Sequence, residues 1–129
     1  MKKSLKISTK SSKKNKVAGK NGAVLARELA RVIDEKKGSK IIIFDLRGIS
    51  PITDYFVVAN GLSEIHARTI AGSLADHEKP NHIEGYEAAT WILLDYVDVI
   101  VHVFVEETRL FYGLERLWGD APQLDYSYD

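Results

Sequence analysis

The feature that most constrains the fold is a pair of apolar segments that almost meet in sequence. The first covers residues 90–95 (TWILLD) and the second covers residues 98–105 (DVIVHVFV), with only Tyr96 and Val97 between them. Segments rich in Val, Ile and aromatic residues are typical of strands. Because the connection is so short, the two strands can pair only as an antiparallel hairpin. The sequence therefore predicts a sheet that contains this hairpin.

Apolar residues at helical spacing predict a first helix, which begins after Asn21-Gly22 and ends at Gly38. Two strands are predicted next, over residues 40–45 and 54–59. A second helix is predicted to begin at its N-cap Ser63 and to end at Lys79-Pro80.

A short strand over residues 82–85 precedes the hairpin, and a third helix follows it. Acidic residues 106–107 favour the start of this helix, Thr108 is its predicted cap and Gly119 its predicted end. The order is α-β-β-α-β-β-β-α. It predicts a small single α/β domain in which helices pack on a mixed β-sheet.

Charge is segregated along the chain, although the 129 residues carry a formal net charge of zero. Residues 1–20 hold eight lysines and no acid, whereas residues 81–129 hold ten acids and only two arginines. We interpret residues 1–20 as a disordered basic tail, because they are too polar to bury a core. The folded domain is expected over residues 21–122, with an acidic tail over 123–129. The basic tail is either a solubilising extension, a contact with a nucleic acid such as ribosomal RNA, or an organelle transit peptide, although transit peptides favour arginine and an amphipathic helix.

Several kinds of site are excluded by composition and spacing. The chain has no cysteine, so disulfides, Cys-ligated zinc and thiol nucleophiles are ruled out. No apolar segment approaches the roughly 18 residues of a membrane span. No phosphate-binding glycine motif is present, and the cluster formed by residues 76–78 with His82 lacks metal-ligand spacing. We predict no catalytic residue, no cofactor and no metal.

A carboxylate pair, Asp95 and Asp98, supports one alternative, a small nucleotidyltransferase-like enzyme that holds Mg²⁺ between them. Side chains three positions apart do not share one face of a strand. We therefore interpret the two aspartates as framing the hairpin.

Aromatic residues are concentrated in the acidic part of the chain, at Trp91, Tyr96, Phe111, Tyr112 and Trp118. Aromatic side chains surrounded by acids are typical of an interface with a basic protein. His102, within the second hairpin strand, is either a half-buried core residue or a contact residue of that interface.

Four segments carry a resemblance to a known family: residues 53–57 (TDYFV), 94–96 (LDY), 98–104 (DVIVHVF) and 112–122 (YGLERLWGDAP). With Gly61, Ser63 and Trp91, they resemble the ribosomal silencing factor family, also called Iojap-like. The resemblance covers residues 22–122, and its most specific part is the final segment.

The resemblance implies a non-enzymatic α/β domain, distantly like the nucleotidyltransferase fold but without its catalytic residues. Members bind the large ribosomal subunit through its ribosomal protein fourteen and block joining of the small subunit, which represses translation. Organelle relatives assist large-subunit assembly, and this is the alternative role. We expect a cytoplasmic protein, or an organelle protein if residues 1–20 are a transit peptide, and we expect a monomer or a weak homodimer that pairs through exposed aromatic residues.

The resemblance also places partner contacts on the hairpin and the third helix. The implied partner-binding residues are Trp91, Leu94, Tyr96, Asp98, His102, Glu106, Arg109, Tyr112, Glu115 and Trp118.

One departure from the family pattern concerns the hairpin turn. The family usually has glycine between the hairpin tyrosine and aspartate, whereas this chain has Val97. A β-branched residue disfavours positive φ. We therefore expect a different turn or a longer loop here.

Overall fold

The computed structural model describes residues 21–113, 116 and 119–126, except the side chains of Phe111 and Tyr112. The predicted basic tail lies outside the described residues. Within them are three helices, α1 (Gly22–Glu35), α2 (Glu64–His77) and α3 (Glu106–Tyr112). The strands are β1 (Ser39–Asp45), β2 (Tyr55–Gly61), β3 (His82–Glu84), β4 (Trp91–Asp95), β5 (Val99–Val105) and β6 (Gln123–Leu124).

The strands form one mixed sheet in the order β3-β4-β5-β2-β1-β6. Strands β2 and β5 are parallel, from the Tyr55–Val99 pair to the Gly61–Val105 pair, and the other neighbours are antiparallel. The small α/β domain with a mixed sheet is confirmed, as is the predicted order of elements from α1 to α3 within the described residues. No helix in the described part of the chain is long and apolar enough to span a membrane.

Both long helices begin at side-chain caps that the sequence provides. The Asn21 side chain accepts a hydrogen bond from Val24 N–H, and the Ser63 hydroxyl accepts one from His66 N–H. These contacts satisfy amide groups that have no partner within the first helical turn. Leu29 and Ile33 of α1, and Ile70 and Leu74 of α2, are then fully buried against the sheet.

The sheet has two sides with different coverings. The helix side, formed by alternate residues such as Val57, Leu94 and Val101, packs against α1 and α2. We call the opposite side the outer side. Its main residues are Ile42, Phe44, Phe56, Val58, Trp91, Leu93, Ile100, His102 and Phe104. Both sides are buried along β5, as expected for a strand at the middle of a sheet.

The third helix is shorter than predicted. It ends at Tyr112 because Gly113 adopts φ 59, a left-handed conformation that stops a helix. Its N-cap is Val105, with no side-chain hydrogen bond, so the prediction that Thr108 caps it is wrong. Leu110, in the middle of this helix, is 69% exposed. Residue 116 is again helical, and residues 114, 115, 117 and 118 lie outside the described residues.

Residues 123–126, predicted to begin an acidic tail, pack on the domain. Leu124 pairs with Ile43 of β1, and Leu124 and Tyr126 pack against the helix-side core. The Arg27 and Arg31 side chains donate to the main-chain carbonyls of residues 125 and 126, both at 3.1 Å. The folded unit therefore extends at least four residues beyond the predicted boundary.

The hairpin turn accommodates Val97 without a longer loop. Val97 has φ 77, and Asp98 N–H donates to the Tyr96 carbonyl at 3.0 Å across it, which forms a three-residue γ-turn. Two side chains hold this strained residue: the Asp95 carboxylate accepts from its N–H, and the Thr53 hydroxyl donates to its carbonyl. Of the two expectations, the structure has the different turn, because these bonds keep the β-branched residue in the left-handed region.

Candidate functional site

The predicted contact residues fall into three groups in the structure. Glu106 is exposed and Trp91 is half-buried. Five are buried, namely Leu94, Tyr96, Asp98, His102 and Arg109. Three have side chains outside the described residues, namely Tyr112, Glu115 and Trp118.

The hairpin separates the predicted residues into two locations. Trp91 pairs with Phe104 near Glu106, at the open end of the hairpin, whereas Tyr96 and Asp98 lie at its turn. Five residues of strand separate the two ends, or about 17 Å. The predicted set is therefore not one compact patch, and Trp91, His102, Glu106 and Arg109 form its open-end part.

Trp91 lies at the edge of an aromatic cluster on the outer side, which consists of Phe56, Trp91, His102 and Phe104. Its indole Nε1–H donates to His102 Nδ1 at 3.0 Å. Its ring stacks on Phe104 with centroids 5.1 Å apart and an interplanar angle of 25°. Both contacts fix the indole plane while part of the ring stays exposed.

His102 is a core residue in this structure, with 1% of its surface exposed. Its ring meets Phe56 edge-on, with centroids 4.5 Å apart. Complete burial lowers the pKa of His102 to about 3, so the imidazole is neutral near pH 7. Of the two interpretations left open by the sequence, burial favours the core residue over direct contact with a partner.

Arg109 also points inward. It is 4% exposed, and its Nη1 donates to the Lys40 carbonyl at 2.7 Å and to the Asn60 side-chain oxygen at 2.8 Å. The guanidinium therefore joins α3 to the adjacent ends of β1 and β2. In this position Arg109 orients α3 rather than presenting its charge to a partner.

The turn end of the hairpin is held from the helix side. Tyr96 donates its hydroxyl proton to the Leu74 carbonyl at 3.2 Å, and burial raises the pKa of Tyr96. Leu94 is fully buried beneath α1 and α2. These side chains support the sheet from the side opposite Trp91.

The Asp95 side chain holds the hairpin turn. Asp95 is 1% exposed, its Oδ1 accepts from Val97 N–H at 2.8 Å, and burial raises its pKa. Among the described residues, no three His, Asp or Glu side chains lie close enough to hold a metal ion. His77 and His82 contact Glu28 and Glu84 instead.

Two of the acids that the sequence assigns to this region are inaccessible to a partner. Asp95 and Asp98 are buried in the hairpin, whereas Glu106, Glu107 and Asp120 are exposed. Glu106 and Glu107 lie at the start of α3, close to the open end of the hairpin, whereas the exposed Glu87 and Asp125 lie beside α2 and α1.

Sequence reasoning missed the residues that support the open end, chiefly Phe104 and Asn60. The sequence signal that bears on Phe104 is the position of the hairpin turn, because it sets which residues of the two strands pair. A turn at residues 96–97 would set Trp91 opposite His102, whereas the observed turn at residues 97–98 pairs Trp91 with Phe104. Because the shift is two residues, the side chains stay on the same side of the sheet.

Residues 20–128 match the family model described as "Ribosomal silencing factor during starvation". The chain belongs to the ribosomal silencing factor family. The resemblance found in the sequence is thereby confirmed.

Curated ribosomal silencing factors are similar over most of their length. That of Bacillus subtilis is 39% identical over 104 residues, which span 77% of this chain and 88% of the relative. The chloroplastic Iojap protein of Zea mays is 28% identical, over 81% of this chain and 47% of that protein. Silencing factor and Iojap proteins are thus both relatives of this chain.

The fold is shared with solved structures. A crystal structure of a Chromobacterium violaceum protein has a TM-score of 0.73 and 27% identity, and the match covers 78% of this chain and 88% of that one. A Bacillus halodurans structure has a TM-score of 0.66 and 35% identity, with 81% and 99% covered. These two structures therefore share the overall fold of this chain.

Proposed function

We propose that this ribosomal silencing factor binds the large ribosomal subunit through its ribosomal protein fourteen and blocks joining of the small subunit. The observation that carries the proposal is the family match over residues 20–128. The mechanism is steric exclusion, since a surface that is occupied by one partner is closed to another. It uses no cofactor and no catalytic residue.

The open end of the hairpin supports this proposal. Trp91 offers a partly exposed aromatic ring in a fixed orientation, and Glu106 and Glu107 add exposed negative charge close by. Aromatic anchors supply affinity, and charges at the rim steer a partner of opposite sign. A basic protein is the matching partner, and an interface of about 800 Å² per side is a standard size for such a complex.

The test is co-sedimentation with purified large subunits at moderate salt, followed by addition of small subunits. We expect the protein to sediment with large subunits and to reduce the yield of joined ribosomes. Trp91→Ala and Glu106→Lys should both weaken sedimentation. Tyr86→Ala is the matched control, because Tyr86 is a 44% exposed aromatic residue next to α2.

Two results would contradict this assignment. Absence of co-sedimentation would contradict the proposed binding to the large subunit. If Trp91→Ala and Tyr86→Ala bind large subunits with equal affinity, the open end of the hairpin is not the contact surface. Cross-linking from Glu106→Cys to ribosomal protein fourteen tests the named partner directly, because the natural chain has no cysteine that would compete.

Residues 1–20, with eight lysines, are proposed to add a salt-sensitive contact with ribosomal RNA. Deletion of these residues should lower affinity most at low salt and reduce the slope of affinity against salt. An unchanged slope would contradict the RNA contact. We propose a cytoplasmic protein that acts as a monomer or weak homodimer.

A second candidate function, assistance in large-subunit assembly, is favoured by the similarity to chloroplastic Iojap proteins. Depletion of the protein distinguishes the two. Accumulation of large-subunit precursors indicates an assembly role, whereas increased subunit joining with normal precursors indicates silencing.

A further inference from the structure

The indole of Trp91 is held by a neighbour that is itself inaccessible. Its Nε1–H donates to His102 Nδ1 at 3.0 Å, and His102 is only 1% exposed. A partner that touches Trp91 therefore meets a ring whose hydrogen-bonding edge is already occupied by the protein core.

The hydrogen bond determines which nitrogen of His102 carries the proton. Nδ1 can accept only through its lone pair, so the proton of the neutral ring lies on Nε2. Burial keeps the ring neutral, with its pKa lowered to about 3. The acceptor that holds Trp91 therefore persists across the physiological pH range.

His102 accepts the hydrogen bond from Trp91 although its other ring nitrogen makes no hydrogen bond. Within the described part of the chain, Nε2 is buried and has no hydrogen-bond partner. A buried polar atom without a partner costs free energy, which an apolar side chain of similar size would avoid. A histidine at this position is therefore explained by its contact with Trp91 rather than by packing.

The surrounding rings fix both side chains. Phe104 stacks on Trp91 at 5.1 Å, and Phe56 meets His102 edge-on at 4.5 Å. Stacking defines the plane of the indole but allows the ring to slide or rotate within that plane. The hydrogen bond at one edge removes this remaining freedom.

We propose that His102 is a positioning residue, which holds the Trp91 indole in a single orientation for partner binding without touching the partner. This role rests on the function proposed above, because it assumes that Trp91 is a contact residue. Ordering the anchor before binding reduces the conformational entropy lost in the complex.

The first test uses NMR spectroscopy of the free protein, which is independent of ribosome binding. His102→Asn places a side-chain oxygen at the position of Nδ1, whereas His102→Leu fills similar space without an acceptor. Trp91→Phe identifies the indole signal, since the chain has two tryptophans. We expect the Trp91 indole proton to exchange slowly in the natural protein and in His102→Asn, and rapidly in His102→Leu.

The second test measures co-sedimentation with large subunits. We expect His102→Leu to weaken affinity about tenfold, as for other residues that support an interface anchor, and His102→Asn to stay close to the natural protein. In a Trp91→Phe background, which lacks the indole donor, the two His102 variants should bind equally, as a double-mutant cycle requires. Thermal melting of each variant defines a temperature at which all are folded.

The outcomes separate this role from the function itself. If Trp91→Ala weakens binding and His102→Leu does not, the positioning role is overturned and the proposed function stands. If His102→Asn weakens binding as much as His102→Leu, the effect is structural and the positioning role is again overturned. If Trp91→Ala leaves binding unchanged, the contact surface is wrong, and with it the positioning role.

Discussion

The two sides of the sheet differ in the size of their apolar cores and in their polar content. The helix side is filled by aliphatic residues and alanines, such as Leu29, Ala67 and Val101. The outer side mixes aromatic rings with the buried polar groups of Asn60, His102 and Arg109. Apolar packing is enough to stabilise a domain, whereas buried polar groups impose particular orientations.

This difference suggests a division of roles. His102 accepts a hydrogen bond from Trp91 through Nδ1, although its Nε2 has no partner among the described residues, and Arg109 bonds to the ends of β1 and β2. The helix side therefore supplies stability, and the outer side supplies stability together with a defined surface.

The largest expected effect compares one core residue from each side. Leu94→Ala on the helix side and Phe104→Ala on the outer side should each lower the free energy of unfolding by about 3 kcal/mol, because both residues are fully buried. Denaturant unfolding measures these changes. At a temperature where both variants are folded, only Phe104→Ala should weaken large-subunit binding. Weaker binding by Leu94→Ala would contradict the proposal that only the outer side of the sheet supports the binding surface.

The next effect concerns the anchor of α3. Arg109→Met should lower the free energy of unfolding by about 2 kcal/mol, because it leaves the Lys40 carbonyl and the Asn60 side chain without their donor. Arg116→Met, at an exposed arginine, is the control and should change stability by less than about 0.5 kcal/mol. Similar losses in both variants would contradict an anchoring role for Arg109.

The pH dependence of stability tests the outer side of the sheet separately, because His102 is buried on that side. Its pKa is about 3 in the folded protein against 6.5 for an ordinary histidine, so the unfolded chain binds the proton more readily. The contribution of neutral His102 to the free energy of unfolding is complete above about pH 6.5 and is lost as the pH falls towards 3. Between these two pH values the free energy of unfolding changes by up to about 1.4 kcal/mol per pH unit through His102 alone.

Denaturant unfolding of the natural protein and His102→Asn between pH 3 and 7 measures this contribution as a difference. Asp95 acts in the opposite direction, because burial raises its pKa, but its effect is common to both proteins and cancels. Parallel stability curves for the two proteins would contradict the lowered pKa of His102.

The smallest effect lies at the turn that joins β4 to β5. Val97→Gly should be more stable than Val97→Ala by about 1 kcal/mol, because φ 77 is strained for alanine but not for glycine. At Val24, in helix α1, the order should reverse, since alanine is favoured over glycine within helices. The same order at both positions would contradict strain at Val97. Thermal melting measures both pairs.

Much of the fold could be predicted because local signals agree with it. Asn21 and Ser63 are strong helix caps, and the apolar segments of the hairpin have only one short connection. The end of α3 was missed because the apolar spacing continues past Gly113, whose left-handed conformation stops the helix. Strand β6 was missed because two residues carry no periodic pattern.

The site was harder to predict for a different reason. Sequence identifies Trp91 and His102 as unusual residues, but it does not show whether they face a partner or each other. Burial decides this, and burial depends on strands that are distant in sequence, such as Phe56 of β2 beside His102 of β5. A resemblance to a family transfers residue positions, whereas their orientation requires the fold.

The parallel pairing of β2 with β5 has a consequence for the order of synthesis. Tyr55 and Val99 are 44 positions apart in the sequence, and β5 lies between β4 and β2 in the sheet. While the chain is being made, β2 can pair with β1 but has an open edge until residues 99–105 emerge. Long-range pairings of this kind form late and slowly. A ribosome that has not yet made residues 99–105 therefore carries an incomplete sheet, and this ribosomal silencing factor can complete its central strand pairing only after those residues emerge.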